Sequence, residues 1–290
     1  MELWVVGVVF LGGIIIGIIL GIPVSFVLGG LAIISAFVFW QDGGLYAAVI
    51  GTYGQATNFV LLAVPLFILI GTILQYSGLA DDLYDTAYKW LGWLPGGLGV
   101  STCVVCAVVA AILGTGTGGV AMVGLIALPA MLKRKYAKSM ALGPVGGAGV
   151  LGQLIPPSLS FIFYGVLSME SVGLLFMSGV IPGLLMVLIF SIYIVVRCSM
   201  NPGLGPTLPV TERVGWKEKF VSLRGVILPV ALILLILGVI YTGIATPTEA
   251  AGVGVVGAMI CTAIKRRLNW ATLKQVTSLS GFLFLSPQAG

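Results

Sequence analysis

Leu113-Gly114-Thr115-Gly116-Thr117-Gly118-Gly119 places polar, glycine-rich backbone in the middle of an apolar run that covers 96–132. A second interruption follows at Gly152-Gln153-Leu154-Ile155-Pro156-Pro157-Ser158. Backbone that leaves a helix at membrane depth must find protein or water for its N–H and C=O groups. Two such breaks in consecutive apolar segments therefore read as two halves of one polar site.

That reading presumes a membrane, and composition supplies it. The chain has 290 residues, 59% hydrophobic and 8% charged, with a mean hydropathy of +1.17. A soluble domain carries about a quarter charged residues. The 42 glycines suit closely packed membrane helices, in which small residues let backbones approach. The net charge of +5 is not a nucleic-acid footprint, because the basic residues cluster in segments assigned below to one face of the bilayer.

The chain has no histidine, which excludes a histidine triad, histidine metal ligands and a histidine proton relay. Cys103 and Cys106 form a C-x-x-C inside an apolar run with no second pair, so they read as small helix residues, with a redox or zinc role as the alternative. The N-terminal stretch lacks the basic region and small-residue cleavage site of a signal peptide, and residues 4–20 read as a retained membrane helix.

Apolar segments fall at 4–20, 23–40, 58–76, 96–132, 139–168, 172–197, 224–243 and 247–264. Basic residues lie at 89, 133–138, 197, 213–224 and 265–274, and the connections at 41–57, 168–172 and 243–247 have none. Cytoplasmic loops carry the excess of Lys and Arg. The N-terminus is then expected outside, the first three helices run in, out and in, and 41–57 forms an external connection. Residues 80–92 alternate Asp81, Asp82 and Asp85 with Leu83, Tyr84, Tyr88 and Trp90, the pattern of a helix in the membrane interface. Its acids read as first-turn residues favoured at a helix N-terminus rather than as a metal site.

Both flanks of 96–132 are basic, and the limb after the break, counted from Val120, has thirteen residues. A simple span needs about twenty. Two full spans would also satisfy these flanks, but the short limb points to a re-entrant hairpin entering from the cytoplasm and turning at 113–119. Residues 139–168 read as a discontinuous helix, since Pro156-Pro157 removes two backbone donors. Residues 172–197 return inward with a kink expected at Pro182-Gly183. The predicted division is 1–92, three helices and an interfacial arm; 93–197, hairpin and broken crossings; 198–223, a cytoplasmic linker; and 224–290, a second repeat that begins and does not finish.

The first helix pair turns at Gly21-Ile22-Pro23, followed by a helix with Gly29-Gly30, and the pair after the linker turns at Gly243-Ile244-Ala245-Thr246-Pro247, followed by a helix with Gly252 and Gly254. With opposite expected orientations, the two read as inverted copies, the usual build of secondary transporters with broken helices at the midplane. No second hairpin follows, and the sequence reads as C-terminally truncated. The fold expected is an all-α polytopic membrane protein with an inverted repeat whose second copy is incomplete.

A half-helix that begins at membrane depth aims free N–H groups at an anion, and one that ends there presents carbonyls to a cation. The 114–119 turn offers backbone oxygens with little side-chain bulk, and Thr115, Thr117, Gln153 and Ser158 add polar side chains. Hard cations take oxygen ligands. No Lys, Arg or Asp lies inside the hydrophobic spans, which favours sodium over a proton relay as the coupling ion. Glu249, in Thr246-Pro247-Thr248-Glu249, reads as a first-turn acid with Thr246 or Thr248 as cap, with a functional carboxylate as the alternative.

Several stretches resemble one family in order along 20–270. They are Asn58-Phe59-Val60-Leu61-Leu62-Ala63-Val64-Pro65-Leu66-Phe67-Ile68-Leu69-Ile70-Gly71, Ser77-Gly78-Leu79-Ala80, Leu94-Pro95-Gly96-Gly97, Leu128-Pro129-Ala130-Met131-Leu132-Lys133-Arg134, Gly152–Ser158 and Ala245-Thr246-Pro247-Thr248-Glu249-Ala250-Ala251. The resemblance is to the large membrane subunit, DctM type, of tripartite ATP-independent periplasmic (TRAP) transporters.

It implies a multi-pass protein of the bacterial inner membrane, not an enzyme. The implied activity is sodium-driven import of organic anions such as C4-dicarboxylates or sugar acids. The implied partners are a small membrane subunit, a periplasmic substrate-binding protein, the bilayer and the anion, with no nucleic acid. It also implies an elevator-type movement, with the first three helices and the arm as scaffold and 93–197 as half of the transport domain. Sodium would fall on Gly114, Thr115, Gly116, Thr117, Gly152 and Pro156, and substrate on Gly118, Gln153, Pro157 and Ser158, with no other metal or cofactor.

One departure matters. Where the family's tip reads roughly Ser-Gly-Ser-Ser, this chain has Leu113-Gly114-Thr115-Gly116, then Gly118-Gly119, which shifts the expected ligands toward backbone carbonyls and Thr115. The competing readings are a carboxylate permease that needs no binding protein and a non-transporting membrane scaffold.

Overall fold

A computed structural model describes residues 3–209, 214–267, 274 and 276. Among the described residues all regular structure is helical, and six helices are long and apolar enough to cross a membrane. The chain divides into two compact units at Asn58/Phe59.

The first unit is a pair of antiparallel-connected helices, α1 (Leu3–Ile19) and α2 (Val24–Ala56). They close on each other where Gly17 faces Val27 and Gly13 faces Leu31. The connection expected at 41–57 is instead the continuation of α2, which runs through 33 residues. The reason is local. That stretch contains no proline, so every helical N–H is available, and each interior glycine costs only about 1 kcal/mol relative to alanine.

The second unit begins with a 3-10 turn, Phe59–Leu62, and continues with α3 (Ala63–Tyr76) and α4 (Leu79–Leu91). It goes on with α5 (Gly97–Leu113), α6 (Gly116–Lys133), α7 (Lys138–Gly149), the short α8 (Leu151–Leu154) and α9 (Leu159–Ser168). It ends with α10 (Val172–Met200), α11 (Trp216–Tyr241) and α12 (Pro247–Ile264). The rest of the expected second repeat beyond 267, apart from residues 274 and 276, lies outside the described residues.

Helix α5 is the axis of this unit. Its small residues Ala107, Ala110, Ala111, Cys103 and Cys106 are buried, and α3, α4, α6, α7, α8 and α10 all pack on it. Its two interior hydroxyls donate to the carbonyl one turn back, Ser101 Oγ to Gly97 and Thr102 Oγ1 to Leu98, both at 2.8 Å. Buried polar atoms are thereby satisfied without leaving the helix. Cys103 and Cys106 are buried free thiols on this axis.

Helix α4 buries Leu79, Ala80, Leu83 and Tyr84 against α5 and α11. Asp85 pairs with Lys89 one turn on, at 2.6 Å, and Asp82 pairs with Lys265. Trp90 makes edge contacts with Trp216 and Phe220 and donates from Nε1 to the Lys219 carbonyl at 3.1 Å. Residues 216–223, expected to be linker, are thus the first two turns of α11.

Helix α12 starts with a full capping box. Thr246 Oγ1 accepts from the Glu249 N–H at 3.3 Å, and the Glu249 carboxylate accepts from the Thr246 N–H at 2.8 Å. Glu249 is the first-turn acid the sequence suggested, with Thr246 as the cap. Thr248 Oγ1 turns the other way and donates to the Phe59 carbonyl at 3.3 Å. The two suspected repeat turns share one geometry. Ile22 N–H bonds Gly17 O and Gly21 N–H bonds Ile18 O, and Ile244 to Val239 with Gly243 to Ile240 repeats that pattern. Both are Schellman closures, with the left-handed residue supplied by Gly21 (φ +73°) and Gly243 (φ +71°).

Candidate functional site

The first break is tighter than the sequence suggested. Only Gly114 and Thr115 leave the helix. Gly114 adopts φ +65° and closes α5 by donating its N–H to Ala110 at 2.8 Å. Thr115 is extended (φ −129°, ψ 136°) and precedes the first turn of α6. Residues 116–119 are therefore helical, and α6 is 18 residues long rather than the thirteen counted from Val120. Length no longer argues against a full crossing by this limb.

The change also reverses the polarity of three positions. Gly116, Thr117 and Gly118 sit where a helix exposes N–H groups, whereas the free carbonyl end at the tip belongs to α5.

The second break is confined to 155–158, and Gly152 and Gln153 belong to α8. Ser158 is fully buried and donates from Oγ to the Gln153 carbonyl at 2.8 Å, bridging the gap that Pro156 and Pro157 open. Here α8 ends and α9 begins, so a carbonyl end and an N–H end meet for a second time.

The two breaks touch. The first N–H of α9, on Leu159, donates to the Gly114 carbonyl at 3.2 Å. The contact is possible because glycines line both sides. A β-carbon at Gly152 would lie 2.9 Å from the Thr115 carbonyl oxygen and 2.9 Å from the Ala110 β-carbon. One at Gly116 would lie 2.5 Å from the Gly149 carbonyl oxygen, and one at Gly114 would lie 3.1 Å from that of Pro157. A β-carbon at Gly149 would overlap Val120. Gly71 of α3 lets Leu113 come close, and Phe176 meets Phe67 edge-on and Phe161 at a tilt.

Beside the junction lies an open cleft of about 380 Å³ lined by Gly116, Thr117, Val120, Gly146, Gly149 and Gln153, among others. Of the residues singled out from sequence, Gly116, Thr117 and Gln153 face this cleft. Thr115 and Gly118 are half-buried, Gly114, Gly152, Pro156, Pro157 and Ser158 are buried, and none of these seven lines the cleft. Pro156 instead borders a separate apolar cavity with Ala107, Ala111 and Leu237. Gly146, Gly149 and Val120 were missed as cleft residues. The three-residue spacing of Gly146 and Gly149 along α7 was the available signal, since it places both on one helix face.

Chemically the junction offers four helix ends around one point. The free carbonyls at the ends of α5 and α8 carry partial negative charge, and the free N–H groups at the starts of α6 and α9 partial positive charge. Such a cluster is able to hold a cation and an anion side by side without a titrating side chain.

Comparison with known proteins agrees with this architecture. The family described as "Tripartite ATP-independent periplasmic transporter, DctM component" matches residues 11–285. The C4-dicarboxylate TRAP transporter large permease protein DctM of Vibrio cholerae is 38% identical over 242 residues, 82% of this chain and 51% of the relative. The 2,3-diketo-L-gulonate TRAP transporter large permease protein YiaN of Escherichia coli K12 is 32% identical over 97% of this chain and 66% of its own length. The isethionate TRAP transporter permease protein DctMQ of Oleidesulfovibrio alaskensis is 36% identical over 81% of this chain and 36% of its own length. These are names of permeases, not of enzymes. The chain spans about half the length of the first curated relatives it matches, 51% and 58%. A broken helix meeting a glycine-rich tip, inside a bundle of membrane-spanning length, and a family match along nearly the whole sequence lead to one statement: this chain belongs to the DctM-component family of tripartite ATP-independent periplasmic transporters.

Proposed function

We propose that the chain forms the ion- and substrate-handling half of a sodium-coupled permease for organic anions in the bacterial inner membrane. The observation that carries this reading is the hydrogen bond from Leu159 N–H to Gly114 O, which locks the tip of α5–α6 against the break of α8–α9. Of the six positions expected for sodium, Gly114 and Gly152 offer carbonyl oxygens at the ends of α5 and α8, and Thr115 and Thr117 offer hydroxyls; Gly116, at the N–H end of α6, keeps the space before the Gly149 carbonyl clear, and Pro156 keeps the second break open. The substrate carboxylate lies toward the N–H end of α6 at Gly118 and toward Gln153, with Pro157 and Ser158 fixing the shape of that wall. Ser158 acts through the Gln153 carbonyl, because that is where its proton is engaged.

In this reading α5 and α6 enter from the cytoplasmic side, and the junction moves as one body in an elevator-type cycle. A small membrane subunit and a periplasmic binding protein complete the system. The names of the relatives support an organic anion, since C4-dicarboxylate, diketogulonate and isethionate all carry an anionic group. The test is uptake into proteoliposomes that hold the chain with its small subunit and binding protein. An inward sodium gradient should drive accumulation of a C4-dicarboxylate or sugar acid, and an equal potassium gradient should not. Accumulation that ignores the cation would refute sodium coupling.

A further inference from the structure

At the end of the α5–α6 pair opposite its tip lies a further cavity of about 320 Å³. Its lining includes Tyr88, Lys133, Arg134, Lys135, Tyr136 and Leu208. Three consecutive basic residues at the C-terminus of α6 line it. The Arg134 guanidinium lies over the Tyr88 ring, 4.9 Å from its centroid. Lys135 is held at φ +60°, an uncommon conformation for a lysine, in the turn that closes α6.

The connection between α10 and α11 walls this cavity in, tied down by four hydrogen bonds. Gly96 N–H donates to Gly205 at 3.1 Å, Leu208 N–H to Gly92 at 3.0 Å, Ala137 N–H to Leu204 at 3.0 Å, and the Tyr136 hydroxyl to Pro206 at 3.1 Å. A basic cluster that served only to fix membrane orientation would need no such enclosure. We infer that this cavity, walled by Tyr88, Lys133–Tyr136 and the strap 206–209, is a binding site for a phosphate-bearing anion at the base of the α5–α6 pair. The anion is supplied by an anionic phospholipid headgroup or by a soluble phosphate. Arg and Lys are the residues that recognise phosphate, the first by its planar fork and the second as a point charge. Basic pockets at the membrane boundary take up lipid headgroups by the same chemistry.

The experiment titrates the purified chain in micelles with three probes: short-chain phosphatidylglycerol, short-chain phosphatidylcholine and inorganic phosphate. The variants are Lys133→Gln with Lys135→Gln; the charge-matched control Arg197→Gln with Lys217→Gln; and Thr207→Phe, which fills the cavity from an exposed wall position without altering charge. Saturable binding of phosphatidylglycerol over phosphatidylcholine assigns the lipid source, and saturable binding of inorganic phosphate assigns the soluble one. In either case the Lys133/Lys135 pair should weaken binding about thirtyfold, at the surface-charge increment expected per basic residue. Thr207→Phe should abolish it, and the control pair should leave it near wild type. No anion-selective binding, an equal loss in the control pair, or unchanged binding in Thr207→Phe would overturn the assignment.

Discussion

Gly152→Ala probes the contact on which the junction depends. The added methyl would lie 2.9 Å from two backbone atoms of Thr115 and 2.9 Å from the Ala110 β-carbon. Neither neighbour is the end of a flexible side chain, so the tip must move. Forcing a methyl into a packed interior costs about 1–3 kcal/mol. Alanine gains about 1 kcal/mol over glycine in helix propensity, which leaves a net loss of roughly 0–2 kcal/mol. A methyl added at Gly146, on the preceding turns, would meet nothing within 4 Å, so that position isolates the propensity term.

Gly146→Ala should therefore be neutral or up to about 1 kcal/mol more stable than wild type. The two variants should differ by about 1–3 kcal/mol in reversible unfolding from mixed detergent micelles, followed by circular dichroism. Coincident transitions for Gly152→Ala and Gly146→Ala would mean that the tip does not press on α8, and the junction would lose its structural basis.

Thr246→Ala removes the side chain that caps α12 and the partner of Glu249, and should lower stability by about 1 kcal/mol in the same assay. Tyr136→Phe deletes a hydroxyl that accepts from Leu98 N–H at 3.3 Å and donates to Pro206, at a cost of about 1–2 kcal/mol. Burial pushes the Tyr136 phenol up to about 12 from an ordinary value of 10.0. The neutral form is thus favoured by folding. Its contribution is complete below pH 10 and is lost as the pH rises toward 12, because the unfolded chain ionises first. Unfolding midpoints measured across that window should fall less steeply for Tyr136→Phe than for wild type, and parallel slopes would contradict the assignment.

The membrane class, the helical architecture and the two interruptions were legible because hydropathy and proline are strong local signals. The cap at Thr246–Glu249 was legible for the same reason, since a capping box is a fixed spacing of residue types. Three things were not. The span of α2 was hidden because glycines and polar residues at 41–57 resemble a loop, although none of them forbids a helix. The start of α6 was misplaced because Gly116, Gly118 and Gly119 resemble turn residues. What decides the matter is that Thr115 is extended and Gly114 alone takes the left-handed conformation, after which the helix resumes. The third was the role of 204–208. Nothing in its Gly-Pro composition shows that its backbone groups bond Gly92, Gly96 and Ala137, because those pairings join segments far apart in sequence.

The site itself was half legible. Sequence located both breaks and their residue types, but not which groups face the cleft. Thr117 and Gln153 are exposed to it, whereas Ser158 is turned inward. That choice follows from the packing of Gly149 against Val120 and Gly152 against Thr115, which no single segment encodes.

Sodium binding by the purified chain tests the central claim most directly. Thermal unfolding should be compared in sodium chloride and in choline chloride at equal ionic strength, for wild type and for Gly116→Leu. A ligand at a hundred times its Kd stabilises by about 2.7 kcal/mol. Wild type should show a saturable, sodium-specific rise in unfolding temperature, and Gly116→Leu should show none, because its side chain would occupy the space before the Gly149 carbonyl. Equal unfolding temperatures in the two salts for wild type, or an undiminished sodium shift in Gly116→Leu, would contradict a sodium site at the junction.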